Sequence, residues 1–445
     1  MRILHYFLGF PPYRSGGMTR FCHDLMKSQA ETGNEVSALW PGRMNKGKVS
    51  IRPAGKKDGI SSYELVNPLP VPLDEGILDI AAYTASCGGE AYGQFLAAVR
   101  PEIIHIHTLM GLHREFLAEA EKQGIGCVFT AHDFFGICPK IILFRNGKVC
   151  EDDENCGACA NCCRRALPVS RIAAMQSPLY RALKEAAPVR RLRERHRSRF
   201  FEKEKQSAFA EKEAGPEAEA YQSLREYYRA MVEKMRTVHF ASPLTKAVYE
   251  RYVTAKNSRI IPLAHRDIAD RRAEWKQKTG PIRYAFFSGA KPYKGYDLIL
   301  SVFDALWAEG KRDLELRVYG SSRDERPYLK VISSGFRHDE LASVLNAADA
   351  VLVPSLCYET FGFAVPEAVS FGVPVIASSR VGAKTMLREG GIVFDAEKPE
   401  ELKRIIAGMD RARLEKLHVG TLSAGLMQWP EVTEEILKLY REACV

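Results

Sequence analysis

Two groups of residues stand out by type and spacing. In AVLVPSLCYETFGFAVPEAVSFGVPVIAS (350–378), Glu359 and Glu367 lie eight positions apart, on a loop expected to enter a helix from about Gly362. Carboxylates so placed can accept hydrogen bonds from sugar hydroxyls. The N–H groups of Thr360, Phe361, Gly362 and Phe363 at the helix start suit a phosphate, and glycine at 362 lets a ligand approach the backbone. Two glutamates at this spacing say little alone. The strand before them, Pro354-Ser355, the Thr-Phe-Gly triplet and the Gly372-Val-Pro-Val run turn them into a ligand loop at the carboxyl end of a strand.

The second group is a run of cysteines. Six of the eleven fall in Cys138-x11-Cys150-x5-Cys156-x2-Cys159-x2-Cys162-Cys163. Overlapping C-x2-C steps put two thiolates on one turn, a half-site for tetrahedral zinc. Cys138 and Cys150 can complete it by flanking a hairpin whose turn is Arg145-Asn146-Gly147-Lys148. The candidate ligands are Cys138, Cys150, Cys156, Cys159 and Cys162, with the choice between Cys156 and Cys162 open. Four thiolates leave no open position, so such a zinc is structural. An iron–sulfur cluster and disulfides are the competing readings, the latter disfavoured in a reducing compartment. The other cysteines (Cys22, Cys87, Cys127, Cys357 and Cys444) stand alone and read as ordinary thiols.

The elements that must position these residues alternate strand and helix. Arg2–Leu8 reads as a strand, Pro11 to Gly17 as a loop, Met18–Glu31 as a helix and Glu35–Trp40 as the next strand. Further strands are expected at Ile103–His107 and Cys127–Ala131, where His105 and His107 alternate with isoleucines as strand residues. A second series runs through Val238–Ala241, Arg259–Ile261, Tyr284–Phe287, Leu314–Val318, Ala350–Val353 and Val373–Ala377. The fold class is therefore α/β: two doubly wound, Rossmann-like domains with a cysteine-rich and helical insertion. The expected boundaries are 1–163 (cysteine-rich loop 138–163), a basic insertion at 164–236 packed lightly on the body or mobile, 237–425, and a C-terminal helix at 426–445 packing back on the first domain. Breaks in the insertion are expected near Pro188 and at Gly215-Pro216.

The 445 residues, 46% hydrophobic and 27% charged, exclude a disordered chain, a fibre and a disulfide miniprotein. No apolar run approaches the ~18 residues that cross a bilayer. Pro11, Pro12 and Arg14 interrupt the N-terminal apolar stretch, which is not a secretory pattern, so a cytoplasmic location is expected. Between Arg164 and Lys205 there are 13 basic residues against four acidic ones, a surplus equal to the whole net charge of +9. A patch this concentrated suits an anionic surface, lipid headgroups or nucleic acid, or is simply a solvated helix face.

The Glu359–Glu367 loop, with FFSGAKPYKGYDLILSVF (286–303), ADAVLVPS, PEIIHIHTLMG and FTAHDFFGICP, resembles the retaining GT-B glycosyltransferases, specifically glycosyltransferase family 4 (group 1). The resemblance spans most of the chain apart from 164–236. It implies transfer of a sugar from a nucleotide-sugar to an acceptor hydroxyl with retention of anomeric configuration. Glu359 would then bind the donor sugar, Glu367 the ribose, and Lys294 the diphosphate that leaves with added negative charge. Gly289 matches the family's glycine, but Lys291 stands near the usual arginine and cannot make its bidentate contact. IIPLAHRD (260–267) departs from the usual Pro-Asn-Gly turn. In the first domain Gly16 and Gly17 match the glycine loop near the donor phosphates, and His132 the histidine near the donor sugar.

No Asp-x-Asp pair of the metal-dependent enzymes is present, so no cofactor is expected for catalysis, only one structural zinc. Some family members that build surface polysaccharides carry a similar cysteine insertion, which implies a subgroup of this kind and a lipid-linked or saccharide acceptor; the basic segment suits docking on the inner membrane face near such an acceptor. Two other function classes compete. A zinc-containing nucleic-acid-binding protein would leave the Glu359–Glu367 loop without purpose, so no nucleic acid partner is expected. A GT-B sugar-nucleotide epimerase ordinarily lacks that loop.

Overall fold

The structure is a computed structural model describing residues 1–45, 47–151, 155–206, 216–275, 278–333 and 335–444. Its strands, in chain order, are β1 (Arg2–Tyr6), β2 (Glu35–Pro41), β3 (Ser50–Lys57), β4 (Ile60–Val66), β5 (Ile103–Ile106), β6 (Gly126–Ala131), β7 (Phe144–Arg145), β8 (Lys148–Val149), β9 (Thr237–Phe240), β10 (Ser258–Ile260), β11 (Ile282–Phe286), β12 (Leu314–Tyr319), β13 (Leu329–Ile332), β14 (Ala350–Val353), β15 (Val375–Ser378) and β16 (Gly391–Phe394). Two compact units result. One comprises 1–146, 150–261 and 430–445, and the other 262–429 with 147–149.

The first unit holds an eight-stranded sheet in the order β10-β9-β6-β5-β1-β2-β4-β3, parallel except for the β3–β4 hairpin. Its central strands are buried along their length, as β5 and β6 show, because helices cover both faces of a parallel sheet. The second unit holds a six-stranded, wholly parallel sheet, β13-β12-β11-β14-β15-β16. Its core gathers Tyr284, Phe286, Leu316 and Leu352 from the sheet with Phe303, Leu306, Leu402 and Ile406 from the helices.

Three expectations need correcting. The boundary between the units falls after Ile261, not after residue 236. β9 and β10 belong to the first sheet, where Phe129 pairs with Val238 and Ala131 with Phe240. A strand buried on both faces is apolar throughout, so its sequence does not say which sheet receives it. The insertion is also not uniformly loose. It forms the helices Val169–Met175, Pro178–Leu183, Ala187–Gln206 and Pro216–Glu233, with Pro188 in the first turn of the third. Gly215, half of the expected second break, lies outside the described residues. On the last of these helices Tyr221, Leu224, Tyr228 and Met231 are buried, and Tyr228 donates its hydroxyl to the Tyr83 carbonyl at 2.8 Å. Their three- and four-residue spacing is the apolar stripe of a packed helix, dispersed among charges. Finally, β3, β4, β13 and β16 went unforeseen. β3 is almost wholly exposed and contains Pro53 and Gly55 at a register shift, so it lacks a strand's usual residues.

Candidate functional site

In the second unit the site forms where β11 and β14 end. After β11 the chain passes Gly289, whose backbone packs on that of Gly320 and Ser321, and then Lys291, which opens a short turn over Pro292–Lys294. Gly295 (φ +83°) ends that turn and starts the helix Tyr296–Ala308; a Cβ there would collide with the Pro354 carbonyl at the end of β14. This close approach brings the two loops together. The Tyr293 carbonyl accepts from the Leu356 N–H at 2.9 Å, and Lys294 Nζ lies 3.1 Å from Glu359 Oε1. The Ser355 hydroxyl donates to the same carboxylate oxygen. Glu359 is further fixed through its backbone, donating to the Arg380 carbonyl and accepting from Gly382. Gly362 has φ +97°, and a Cβ on it would stand 3.2 Å from Glu359 Oε2, so glycine is what the loop requires.

Burial works against the Lys294 charge, but the adjoining Glu359 carboxylate outweighs it and holds the ammonium above the ordinary lysine value. The result is a half-buried cation, already paired, beside a short loop. The Phe361 side chain is buried, Thr360 is half-buried, and the helix begins at Ala364, two residues later than expected. Glu367 is not drawn into the Lys294 pair. It is buried and receives a hydrogen bond at 3.0 Å from Nε2 of His265, whose Nδ1 accepts from the Asp267 N–H. His265 lies in the stretch that departs from the family turn. It escaped notice because its partner is 102 residues away. Arg380, also unforeseen, is buried beside the loop and donates to the Leu356 carbonyl at 2.9 Å and to Glu397 at 2.8 Å.

In the first unit Gly16 (φ +110°) caps the helix Gly17–Glu31. Phe21 of that helix packs on His132, ring centroids 5.3 Å apart, just past the end of β6. His132 Nε2 lies 3.2 Å from His107 Nδ1, and His107 Nε2 lies 3.0 Å from His5 Nδ1. Burial pushes His132 down to about 3 and His5 to about 4, and holds His107 well below the usual histidine range. It raises the neighbouring Asp133 to about 6. His105 and His107 thus do more than fill a strand.

In the cysteine region β7 and β8 form the expected hairpin, with Asn146 (φ +51°) and Gly147 (φ +79°) at its turn. Cys138, Cys150, Cys159 and Cys162 line one small cavity with Lys140 and Arg225. Cys156 does not line it, and its thiol is hydrogen-bonded with that of Cys159. Cys163 packs on Gly76 and Tyr221 instead. Among the described residues, the groups of three or more potential ligands with donor atoms within 4.8 Å of one another are His5–His105–His107 and Cys22–His107–His132; the insertion's cysteines form none.

Comparison with known proteins places both units. Residues 282–411 match the family model described as glycosyl transferases group 1. The D-inositol 3-phosphate glycosyltransferase of Nocardioides sp. is 34% identical over 112 residues, 24% of each chain. That of Mycobacterium tuberculosis is 33% identical over 120 residues, 24% of this chain and 23% of its own. The chain thus spans about a quarter of the length of the curated relatives it matches. Among solved structures, sucrose-phosphate synthase from Thermosynechococcus elongatus aligns with a TM-score of 0.59 at 16% identity, over 99% of this chain and 98% of that one. Anabaena Alr3699/HepE in complex with UDP and glucose aligns at 0.57 and 14%, over 99% of both. The chain is an α/β protein of two Rossmann-like, parallel-sheet domains, the fold of these GT-B structures. Within it, Lys294, Glu359 and Glu367 all lie in the segment that matches the group 1 glycosyl transferase family model.

Proposed function

We propose that this protein is a retaining glycosyltransferase that moves a sugar from a nucleotide-sugar to an acceptor hydroxyl, in surface polysaccharide or glycolipid assembly. The observation that carries the proposal is the Lys294–Glu359 pair at the ends of β11 and β14, inside the stretch that matches the group 1 family. Two solved structures of the same fold hold such ligands: Anabaena Alr3699/HepE is in complex with UDP and glucose, and the trehalose-6-phosphate protein from E. coli is bound with UDP-2-fluoro glucose.

The chemistry needs a fixed cation where negative charge grows. As the sugar–phosphate bond breaks, the departing diphosphate gains charge, and an ammonium already in position stabilises that state without reorganising. Lys294 supplies it and Lys291 adds a second charge on the same turn. Glu359 accepts from hydroxyls of the donor sugar, and Glu367, oriented by His265, from the ribose. Gly16, Gly17 and His132 keep the roles that the family resemblance implies for them. The deciding experiment is a panel of sugar nucleotides with and without saccharide and lipid-linked acceptors, following nucleoside diphosphate release and the anomeric configuration of the product. Absence of transfer from every donor, or an inverted product, overturns the respective part.

We further propose that Cys138, Cys150, Cys159 and Cys162 hold one structural zinc. Their lining of one cavity supports this set, and Lys140 and Arg225 on its wall would offset the two negative charges of a four-thiolate site. The sulfurs must draw together on binding, so metal stabilises the folded insertion. Elemental analysis of purified protein is expected to find about one zinc per chain; none, or iron with sulfide, removes the proposal. For membrane docking, Leu179, Leu183 and Leu192 are exposed among Arg190, Arg191 and Arg195, a pattern suited to anionic lipid. Equal sedimentation with phosphatidylglycerol and phosphatidylcholine vesicles would count against it.

A further inference from the structure

Eight hydrogen bonds join buried groups of the first unit into one line. From His132 the line runs through His107 to His5, as described, and His5 Nε2 meets Gln29 Oε1 at 2.7 Å. Gln29 Nε2 reaches the Tyr440 hydroxyl at 3.3 Å, and that hydroxyl meets His105 Nδ1 at 2.5 Å. His105 Nε2 meets Thr130 Oγ1 at 2.6 Å, which meets His239 Nδ1 at 2.8 Å. The line ends at the Ile261 carbonyl, 2.8 Å from His239 Nε2. Apart from half-buried His132, every side chain in it is buried.

A carbonyl can only accept, so the proton of His239 is on Nε2 and its Nδ1 accepts from Thr130. Burial keeps these imidazoles neutral: His239, like His5, is pushed down to about 4, and His105 lies well below the usual range. A neutral ring has one N–H, and a hydroxyl donates once. The direction therefore propagates without choice. Thr130 donates to His239 and accepts from His105 Nε2–H. His105 Nδ1 accepts from Tyr440, and Tyr440 accepts from the Gln29 amide, whose carbonyl then faces His5 Nε2–H. His5 Nδ1 accepts from His107 Nε2–H, and His107 Nδ1 accepts from His132 Nε2–H. The line consumes both nitrogens of His5, His105 and His107, which also accounts for the close approach of their donor atoms without a cation.

We propose that this line is a tautomer relay, anchored at the Ile261 carbonyl, that fixes His132 as its Nε2–H form with the lone pair on Nδ1. Gln29, Tyr440, Thr130 and His239 are positioning residues. In this tautomer Nδ1 of His132 can accept a hydrogen bond and cannot donate one. Any consequence for transfer rests on the reading of His132 given above; the tautomer itself does not.

The test is 15N NMR of the full-length protein labelled at histidine, which separates protonated from lone-pair ring nitrogens. The expected result is a protonated Nε2 and a lone-pair Nδ1 for His132 at neutral pH. Tyr440→Phe cuts the line and is expected to convert His132 to a mixture of both tautomers. Thr130→Val, nearly isosteric, is expected to release the same bias, and Thr130→Ser to retain it. His132 found as Nδ1–H or as a cation overturns the proposal, as do nitrogens unmoved in both Tyr440→Phe and Thr130→Val. Zn²⁺ shifting the His5, His105 and His107 signals of the wild-type protein would also overturn it, by assigning those nitrogens to a metal. Nitrogens that respond as expected while turnover with a sugar nucleotide stays unchanged uphold the relay and remove His132 from transfer.

Discussion

One buried polar line in the first unit and one ion pair in the second are held in opposite ways. In the first, five histidines on or just past parallel strands stay neutral and, with Gln29, Tyr440 and Thr130, form one line of single hydrogen bonds ending on a carbonyl. In the second, Lys294 keeps its charge because Glu359 is 3.1 Å away. A neutral line has a direction but no net charge, which suits orienting one ring. An ion pair has charge but little direction, which suits meeting a diphosphate. The same parallel-sheet architecture thus provides orientation in the histidine line and charge at the Lys294–Glu359 pair.

The largest effect is expected from breaking the charged side. Lys294→Ala and Glu359→Ala should each lower turnover at least ~100-fold, the usual scale for a preorganised charge contact; wild-type rates in both would remove the second unit's role. Next comes pH, where the two sides carry opposite signs. His5 and His239 titrate at about 4 when folded and near 6.5 when unfolded. Their contribution to stability is complete above pH 6.5 and falls as acid carries the pH from there down to about 4, because the unfolded chain binds these protons first. Lys294 is raised above 10.5 when folded, so its contribution is complete below that pH and is lost only as alkali titrates it. Thermal melting between pH 7.5 and 4.5 should show the acid limb, and a flat profile would contradict a neutral line. The smallest effect should come from His265→Ala, which leaves Glu367 without its orienting donor. The donor KM should rise about tenfold with kcat nearly unchanged, whereas a loss confined to kcat would reassign the pair.

Much of this was legible in the sequence, unevenly. The Glu359–Glu367 loop announces itself because strand, turn and helix signals are contiguous, and Asn146-Gly147 specifies its hairpin locally. The Lys294–Glu359 contact follows only from the seating of Gly295 on Pro354, a contact between loops 59 residues apart that no local pattern encodes. The histidine line was illegible for the same reason. His5 pairs with His105 and Thr130 with His239 across strands, and lateral neighbours in a parallel sheet are separated by whole helices. The boundary at Ile261 was missed because an all-apolar strand fits either sheet. The helix Pro216–Glu233 was underrated because charge masked its buried stripe.

Tyr440 lies on the helix Trp429–Cys444, which follows the entire second unit along the chain, yet its hydroxyl completes the interior of the first. During synthesis the earlier unit must therefore wait, with a gap in its core, until the later one has been made. A ribosome stalled anywhere between Ile261 and Tyr440 would display a first unit whose histidines lack their link.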